Sequence, residues 1–196
     1  MSAPQLDLPA ELARRGALLE GHFRLSSGRH SDRFVQKFRV LEDPVLLERV
    51  AQLLAVHFAD AKPTIVVGAA VGGILLAYEV ARQLGTKAIF VEKENGVPTL
   101  RRGFTLGSSD RALVVEDVVT TGLSVCEVID VVEARHARVI GVGVIVARTP
   151  IVLRQGQDDK IPALAVLQLP IVSYDAAECP LCRDGLPITD PGSRRA

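Results

Sequence analysis

The strongest constraint on the fold is a series of short, almost unbroken apolar runs, separated by stretches with helical spacing. Residues 64–67, 87–91, 112–115, 139–147 and 163–169 are dominated by valine, isoleucine, leucine and alanine, without the polar alternation of a half-exposed strand. A strand that reads apolar on both sides is covered on both faces, which calls for a parallel sheet with helices above and below it. The helices are legible between the strands. Asp43 suits an N-cap and Pro44 a first helical position, and Leu47, Val50, Ala51, Leu54 and Phe58 form one stripe. Ile74, Ala77, Tyr78 and Ala81 repeat the spacing, with Gly85 placed to end the helix, and Val125, Val128, Ile129 and Val132 form a third stripe. The pattern predicts an α/β fold, a doubly wound, mostly parallel sheet with a core of about 43–170. Before it comes a small addition: a helix over 8–19, then two strand-like stretches at 21–28 and 31–37, joined by Ser26-Ser27-Gly28.

With 196 residues, no repeat and no linker, the chain reads as a single domain over 1–196. Composition removes several function classes. Lysine plus arginine and aspartate plus glutamate are each 23, so the basic excess of a general nucleic-acid or anionic-membrane binder is missing. The longest uncharged run, 63–78, is interrupted by glycines and too short to span a bilayer. Residues 1–9 include Asp7 and show no signal-peptide pattern. Three cysteines, an odd and low number, predict reduced thiols and a cytoplasmic setting.

Ligands of such sheets bind outside the carboxyl ends of the strands, so the residues following each apolar run carry the functional information. After Val115 the chain reads Glu116-Asp117-Val118-Val119-Thr120-Thr121-Gly122-Leu123-Ser124. Two carboxylates leave a strand, and two threonines and a glycine turn into a helix. Unpaired N–H groups at a helix start, together with hydroxyl donors, form an anion site. The carboxylates would repel a phosphate; they suit sugar hydroxyls, a developing positive charge or a magnesium hydration shell. A second strand-to-helix turn, Ala69-Ala70-Val71-Gly72-Gly73, is built of small residues that let backbone approach an anion. Residues 92–110 form a long polar connection, which suggests a functional loop. In it, Arg101 and Arg102 are cations suited to pyrophosphate.

The string from Val114 to Gly122 closely resembles the phosphoribosyl-pyrophosphate (PRPP) signature of the type I phosphoribosyltransferases. The N-terminal stretch from Gly21 to Ser31 resembles the hood of the orotate phosphoribosyltransferases, and the chain from about Leu12 to Cys182 is most similar to their short bacterial subgroup. The resemblance implies transfer of phosphoribosyl from PRPP to orotate, with Mg2+ held through PRPP and water rather than by a direct protein ligand. It implies that residues 120–124 cradle the 5′-phosphate, that Glu116 and Asp117 contact the ribose, and that Ala69 to Gly73 hold the pyrophosphate. It further implies that Lys93, Arg101 and Arg102 sit on a flexible catalytic loop that closes over PRPP, often on the neighbouring subunit of a homodimer. Arg148 would pair with the orotate carboxylate, with Thr120 also at the base, under a hood made mainly of 8–40 and the C-terminal segment. No nucleic acid or membrane partner is implied.

The sequence departs from this pattern in places. Gly72 stands where some orotate enzymes carry a lysine, a further lysine and a histidine of the loop are missing, and Ser26 replaces a commonly basic residue. A purine or xanthine phosphoribosyltransferase, or a PRPP-sensing regulator of the same fold, shares the signature. The first should lack the hood, and the second should carry a DNA-binding extension. Cys179-Pro180-Leu181-Cys182 has zinc-knuckle spacing, but one pair completes no tetrahedral site unless a second copy contributes. Reduced, packed thiols are expected, with a disulfide or a shared zinc as alternatives. His22, His30, His57 and His136 show no metal-ligand spacing; His57 and His136 read as helix-surface residues.

Overall fold

The computed structural model describes residues 6–25, 27–151 and 161–191. Helix α1 (Leu8–Arg14) is shorter than its apolar spacing suggests; it stops before Gly16, whose φ is +60°. The chain then enters strands β1 (Leu18–Arg24) and β2 (His30–Val35), an antiparallel pair. Ser26 lies outside the described residues. After a short helix α2 (Phe38–Leu41), Asp43 caps α3 (Pro44–Phe58) by accepting from Val45 N at 3.0 Å and Leu46 N at 3.1 Å.

The central sheet follows as β3 (Ile65–Ala69), α4 (Gly72–Leu84), β4 (Lys87–Glu94), β5 (Val97–Leu100), β6 (Arg111–Val119), α5 (Leu123–Glu133), β7 (Arg138–Ala147) and β8 (Ala163–Gln168). Its order is β5-β4-β3-β6-β7-β8, parallel throughout except for β5, which runs antiparallel to β4 on one edge. A two-residue strand β9 (Ser173–Tyr174) then returns to pair with β2, completing a separate three-stranded sheet β1-β2-β9, and a four-residue helix α6 (Pro180–Arg183) follows.

The fully apolar strands are covered on both faces, as their composition requires. Val66, Leu113 and Val115 pack beneath α1, α3 and α4; Val67, Val114, Val142 and Val144 pack against α5 through Val125, Val128, Ile129 and Val132. Burying one such side chain stabilises the fold by about 1.5–3 kcal/mol. At Gly141 the fit is so close that a Cβ would lie 2.4 Å from the Phe58 ring, so the glycine lets α3 settle on β7. Tyr78 is not part of the buried stripe of α4: Leu76, Ala77, Val80 and Ala81 face the core, and Tyr78 is 65% exposed.

Residues 92–110 are not one long loop. β4 continues to Glu94, turns at Asn95-Gly96 (φ +51° and +83°) and returns as β5, with Glu92 opposite Thr99 and Glu94 opposite Val97. Two successive positive-φ residues make the tight turn that matches strand twist. The remaining connection, 101–110, is anchored by Phe104, whose ring meets Phe90 edge-on with centroids 5.2 Å apart.

Candidate active site

The acidic pair lies inside β6 rather than beyond it. β7 is a ten-residue apolar strand, so the parallel ladder continues past the acids, with Glu116 opposite Val144 and Val119 opposite Ala147. Both carboxyls are therefore buried, Glu116 at 7% and Asp117 at 1% exposure. Glu116 Oε1 accepts from Asp117 N at 3.0 Å. Burial, and secondly the neighbouring Asp117 charge, push the Glu116 carboxyl up to about 8. Asp117 Oδ1 accepts from Val118 N at 2.6 Å and from Lys37 Nζ at 3.0 Å. Oδ2 lies 2.8 Å from the same ammonium, without an aligned hydrogen bond of its own. The site thus holds one carboxyl paired with a lysine beside another that burial raises to about 8.

Lys37, just past the end of β2, is the residue that sequence reasoning missed. Nothing marks it locally: it is one lysine after a strand, and its partner is 80 positions away. Its position bears on Gly72. A Cβ at Gly72 would stand 1.4 Å from Asp117 Oδ2 and 3.3 Å from Lys37 Nζ, so glycine is required for the start of α4 to approach the ion pair. The ammonium of Lys37 occupies the neighbourhood that a side chain at position 72 would enter. Ala69 ends β3, Ala70 and Val71 are exposed, and the peptide between them is cis.

Beyond β6 the backbone turns through exposed Thr120 and Thr121 to Gly122, the N-cap of α5, with φ +81°. Among the described residues no side chain caps this helix; Leu123 N makes a long contact, 3.4 Å, to Thr121 Oγ1, and Leu123 and Ser124 are exposed. The first-turn N–H groups of an eleven-residue helix are thus left for an anion at the sheet edge where Glu116 and Asp117 stand. Arg148 follows β7 at the same edge, its backbone N donating to Val119 O at 2.8 Å. Its Nε is buried and has no hydrogen-bond partner among the described residues. Burial lowers its pKa, and Asp32 on β2 opposes that shift; a guanidinium remains charged in either case. Asp32, Lys37 and Arg148 place the small sheet beside the carboxyl end of the large one.

Residues 39–151 match the model of the phosphoribosyl transferase domain family. The orotate phosphoribosyltransferase of Heliobacterium modesticaldum is 49% identical over 181 residues, covering 91% of this chain and 92% of that protein. That of Pelotomaculum thermopropionicum is 45% identical over 189 residues, covering 96% and 97%. This chain belongs to the orotate phosphoribosyltransferase family. In three dimensions it is similar to the crystal structure of orotate phosphoribosyltransferase from Aeropyrum pernix, with a TM-score of 0.63 and 31% identity over 72% of this chain and 81% of that one. The type I phosphoribosyltransferase fold expected from the signature is the fold observed, with its small antiparallel sheet.

Each loop cation is paired with a carboxylate. Lys93 Nζ is 2.8 Å from Glu127 on α5; Arg101 pairs with Glu94 at 3.2 Å; Arg102 forms a fork on Glu92 at 2.9 and 3.0 Å. The Arg102 guanidinium holds the Glu92 carboxyl below its ordinary value.

Four residues that sequence reasoning kept apart come together in the small sheet. Ligand atoms of His22, His30, Cys179 and Cys182 all lie within 4.8 Å of one another. The expectation that these histidines join no metal-type constellation is therefore corrected. Their spacing is invisible in sequence because β1, β2 and the turn before α6 are joined only by the fold. All three cysteines are free thiols; Cys179 is buried but Cys182 is exposed, so only one of the pair is packed. His57 is exposed at the end of α3, and His136 lies in the turn after α5 with φ +62°.

Proposed function

We propose that this chain transfers the phosphoribosyl group of PRPP to orotate, forming orotidine 5′-monophosphate and pyrophosphate in pyrimidine biosynthesis. The bond between C1′ and the pyrophosphate oxygen breaks, and a bond from C1′ to the orotate ring nitrogen forms on the opposite face. No nucleophilic side chain is needed; alignment and charge stabilisation lower the barrier. In this reading the uncapped start of α5, with Thr120, Thr121 and Ser124, binds the 5′-phosphate. Glu116 and Asp117 hold the ribose hydroxyls and face the positive charge that develops at C1′. Residues 69–73 receive the pyrophosphate, and Lys37, close to Gly72, supplies the cation there.

The carboxylates suit an indirect role towards Mg2+. Asp117 is buried and committed to Lys37 and Val118 N, and Glu116 retains its proton, so the pair is not a set of free oxygens for an octahedral ion. They fit hydrogen bonds to water around a cation that arrives on PRPP, where it supplies charge neutralisation for the leaving pyrophosphate. A homodimer sharing the β4–β5 hairpin between sites is part of the same reading. Exposed Val71, Leu75 and Tyr78 on one face at the start of α4, and Val97 at the hairpin tip, are apolar surface suited to a second copy. A cytoplasmic setting, in keeping with the low cysteine count, belongs to the same reading.

Arg148 carries the choice of base. Its buried Nε has no hydrogen-bond partner among the described residues and stands at the same edge as Glu116 and Asp117, and a planar carboxylate fits its fork. Arg148→Ala should weaken orotate binding about ten- to a hundred-fold, the loss of a charge-assisted pair of about 1.5–3 kcal/mol, and leave PRPP binding nearly unchanged. Arg148→Lys should recover only part. Titration calorimetry with each ligand reads this directly. Unchanged orotate affinity with a collapse in PRPP affinity would assign Arg148 to the phosphate side.

A further inference from the structure

We infer that His22, His30, Cys179 and Cys182 form a structural zinc site that ties the C-terminal segment to the β1–β2 hairpin. Cys179 Sγ and Cys182 Sγ are each 3.7 Å from His22 Nε2; Cys182 Sγ is 3.3 Å from His30 Nδ1; the two ring nitrogens are 3.0 Å apart. Ligand atoms on a tetrahedral zinc, with Zn–N near 2.0–2.1 Å and Zn–S near 2.3 Å, are separated by about 3.3–3.8 Å. Three of these four separations fall in that range, the two nitrogens are slightly closer, and all four atoms lie within 4.8 Å of one another.

The surroundings select the ligand atoms. His22 Nδ1 is 2.8 Å from Leu186 O, so this nitrogen carries the proton and Nε2 turns its lone pair towards the sulfurs. A backbone carbonyl on the far nitrogen is the usual means of fixing a metal-binding imidazole. Cys179, His22 and His30 are 1%, 4% and 7% exposed, so three of the four donors are withdrawn from water to face one another. Two thiolates and two imidazoles in a closed set of four suit zinc, and leave no open position for catalysis. Binding displaces the two thiol protons to solvent.

The location explains why a metal is useful. Among the described residues, the small sheet has two strands of six or seven residues and one of two, too little to support itself by burial alone. Outside the cluster, the C-terminal segment is tied to β1 and β2 by hydrogen bonds and ion pairs that include Thr189 N to His22 O at 2.8 Å, Arg24 N to Thr189 O at 3.0 Å, Arg24 on Asp190 at 2.6 and 2.8 Å, and Arg29 on Ser173 at 2.7 and 3.0 Å. One ion joining β1, β2 and residues 179–182 would fix all three segments at once.

The test uses the full chain, purified under reducing conditions without added metal and analysed by elemental mass spectrometry. About one zinc per chain is expected. Cys179→Ser/Cys182→Ser should lose it, and Cys126→Ser, on α5 away from the cluster, should keep it. To keep the test independent of how the double variant folds, wild-type protein stripped of metal should also be titrated with Co2+. Tetrahedral d–d bands and a thiolate charge-transfer band should saturate at one equivalent and vanish on adding zinc. Stripping should lower the melting temperature, and zinc alone should restore it. Zinc-free protein whose reduced form gives no cobalt bands would overturn the inference. So would an intact mass showing a Cys179–Cys182 disulfide in protein whose melting is indifferent to zinc.

Discussion

Glu116→Gln separates the cost of the site from its use. In the fold the Glu116 carboxyl is raised from 4.5 to about 8 by burial and by Asp117. In the unfolded chain it ionises near the ordinary value, so between these limits the folded state binds a proton that the unfolded state has lost. Stability associated with this group is therefore complete below about pH 4.5 and is lost progressively as pH rises towards 8, at up to about 1.4 kcal/mol per pH unit. Glutamine keeps the shape and can still accept from Asp117 N, but it does not titrate. The variant should gain on wild type by about 2–3 kcal/mol between about pH 6 and pH 8, a widening of about 5–10 °C in melting temperature for a chain of this size. Turnover should move the other way. Glutamine replaces the carboxyl that hydrogen-bonds the ribose with an amide that matches it less well, at about 0.5–1.5 kcal/mol, or about 2- to 10-fold in kcat. Thermal melts across pH, paired with steady-state rates, give both numbers from one protein preparation. Parallel melting curves for variant and wild type across this pH range would refute the buried, protonated Glu116; near-normal turnover would refute its role at the ribose.

Lys37→Met removes the ammonium beside Asp117 and leaves a buried carboxylate without its cation; urea denaturation should show a loss of about 1–3 kcal/mol, and PRPP affinity should fall more than orotate affinity. An unchanged denaturation midpoint would contradict the ion pair's role. For the hairpin, mixing inactive Lys93→Ala protein with inactive Asp117→Asn protein should restore part of the activity, since one class of hybrid site contains both intact elements. A mixture that exchanges subunits and stays inactive would place Lys93 on its own chain's site or outside catalysis.

The strands that were legible in the sequence are those buried on both faces, because only there does every residue report the same environment. α3 was legible at its start because Asp43 and Pro44 are local signals, and the structure uses Asp43 as a cap. β6 was cut short at residue 115 because acids normally end an apolar strand; here the ladder with β7 carries Glu116 and Asp117 into the interior. The β4–β5 hairpin carried its signal in Asn95-Gly96, obscured by the charges of residues 92–94 and by the expectation of a loop. Lys37 at Asp117, and His22 and His30 at Cys179 and Cys182, left no such trace. Their partners are 80 to 160 residues apart, and only tertiary packing brings them together.

The most direct test of the account is the loss of orotate absorbance on mixing purified protein with orotate, PRPP and Mg2+, with adenine, hypoxanthine, xanthine and uracil in parallel reactions. The account predicts PRPP- and Mg2+-dependent consumption of orotate with equimolar pyrophosphate release, and little or no reaction with the four bases that lack a carboxylate for Arg148. Pyrophosphate release with a purine base or uracil, while orotate remains unconsumed, would contradict it.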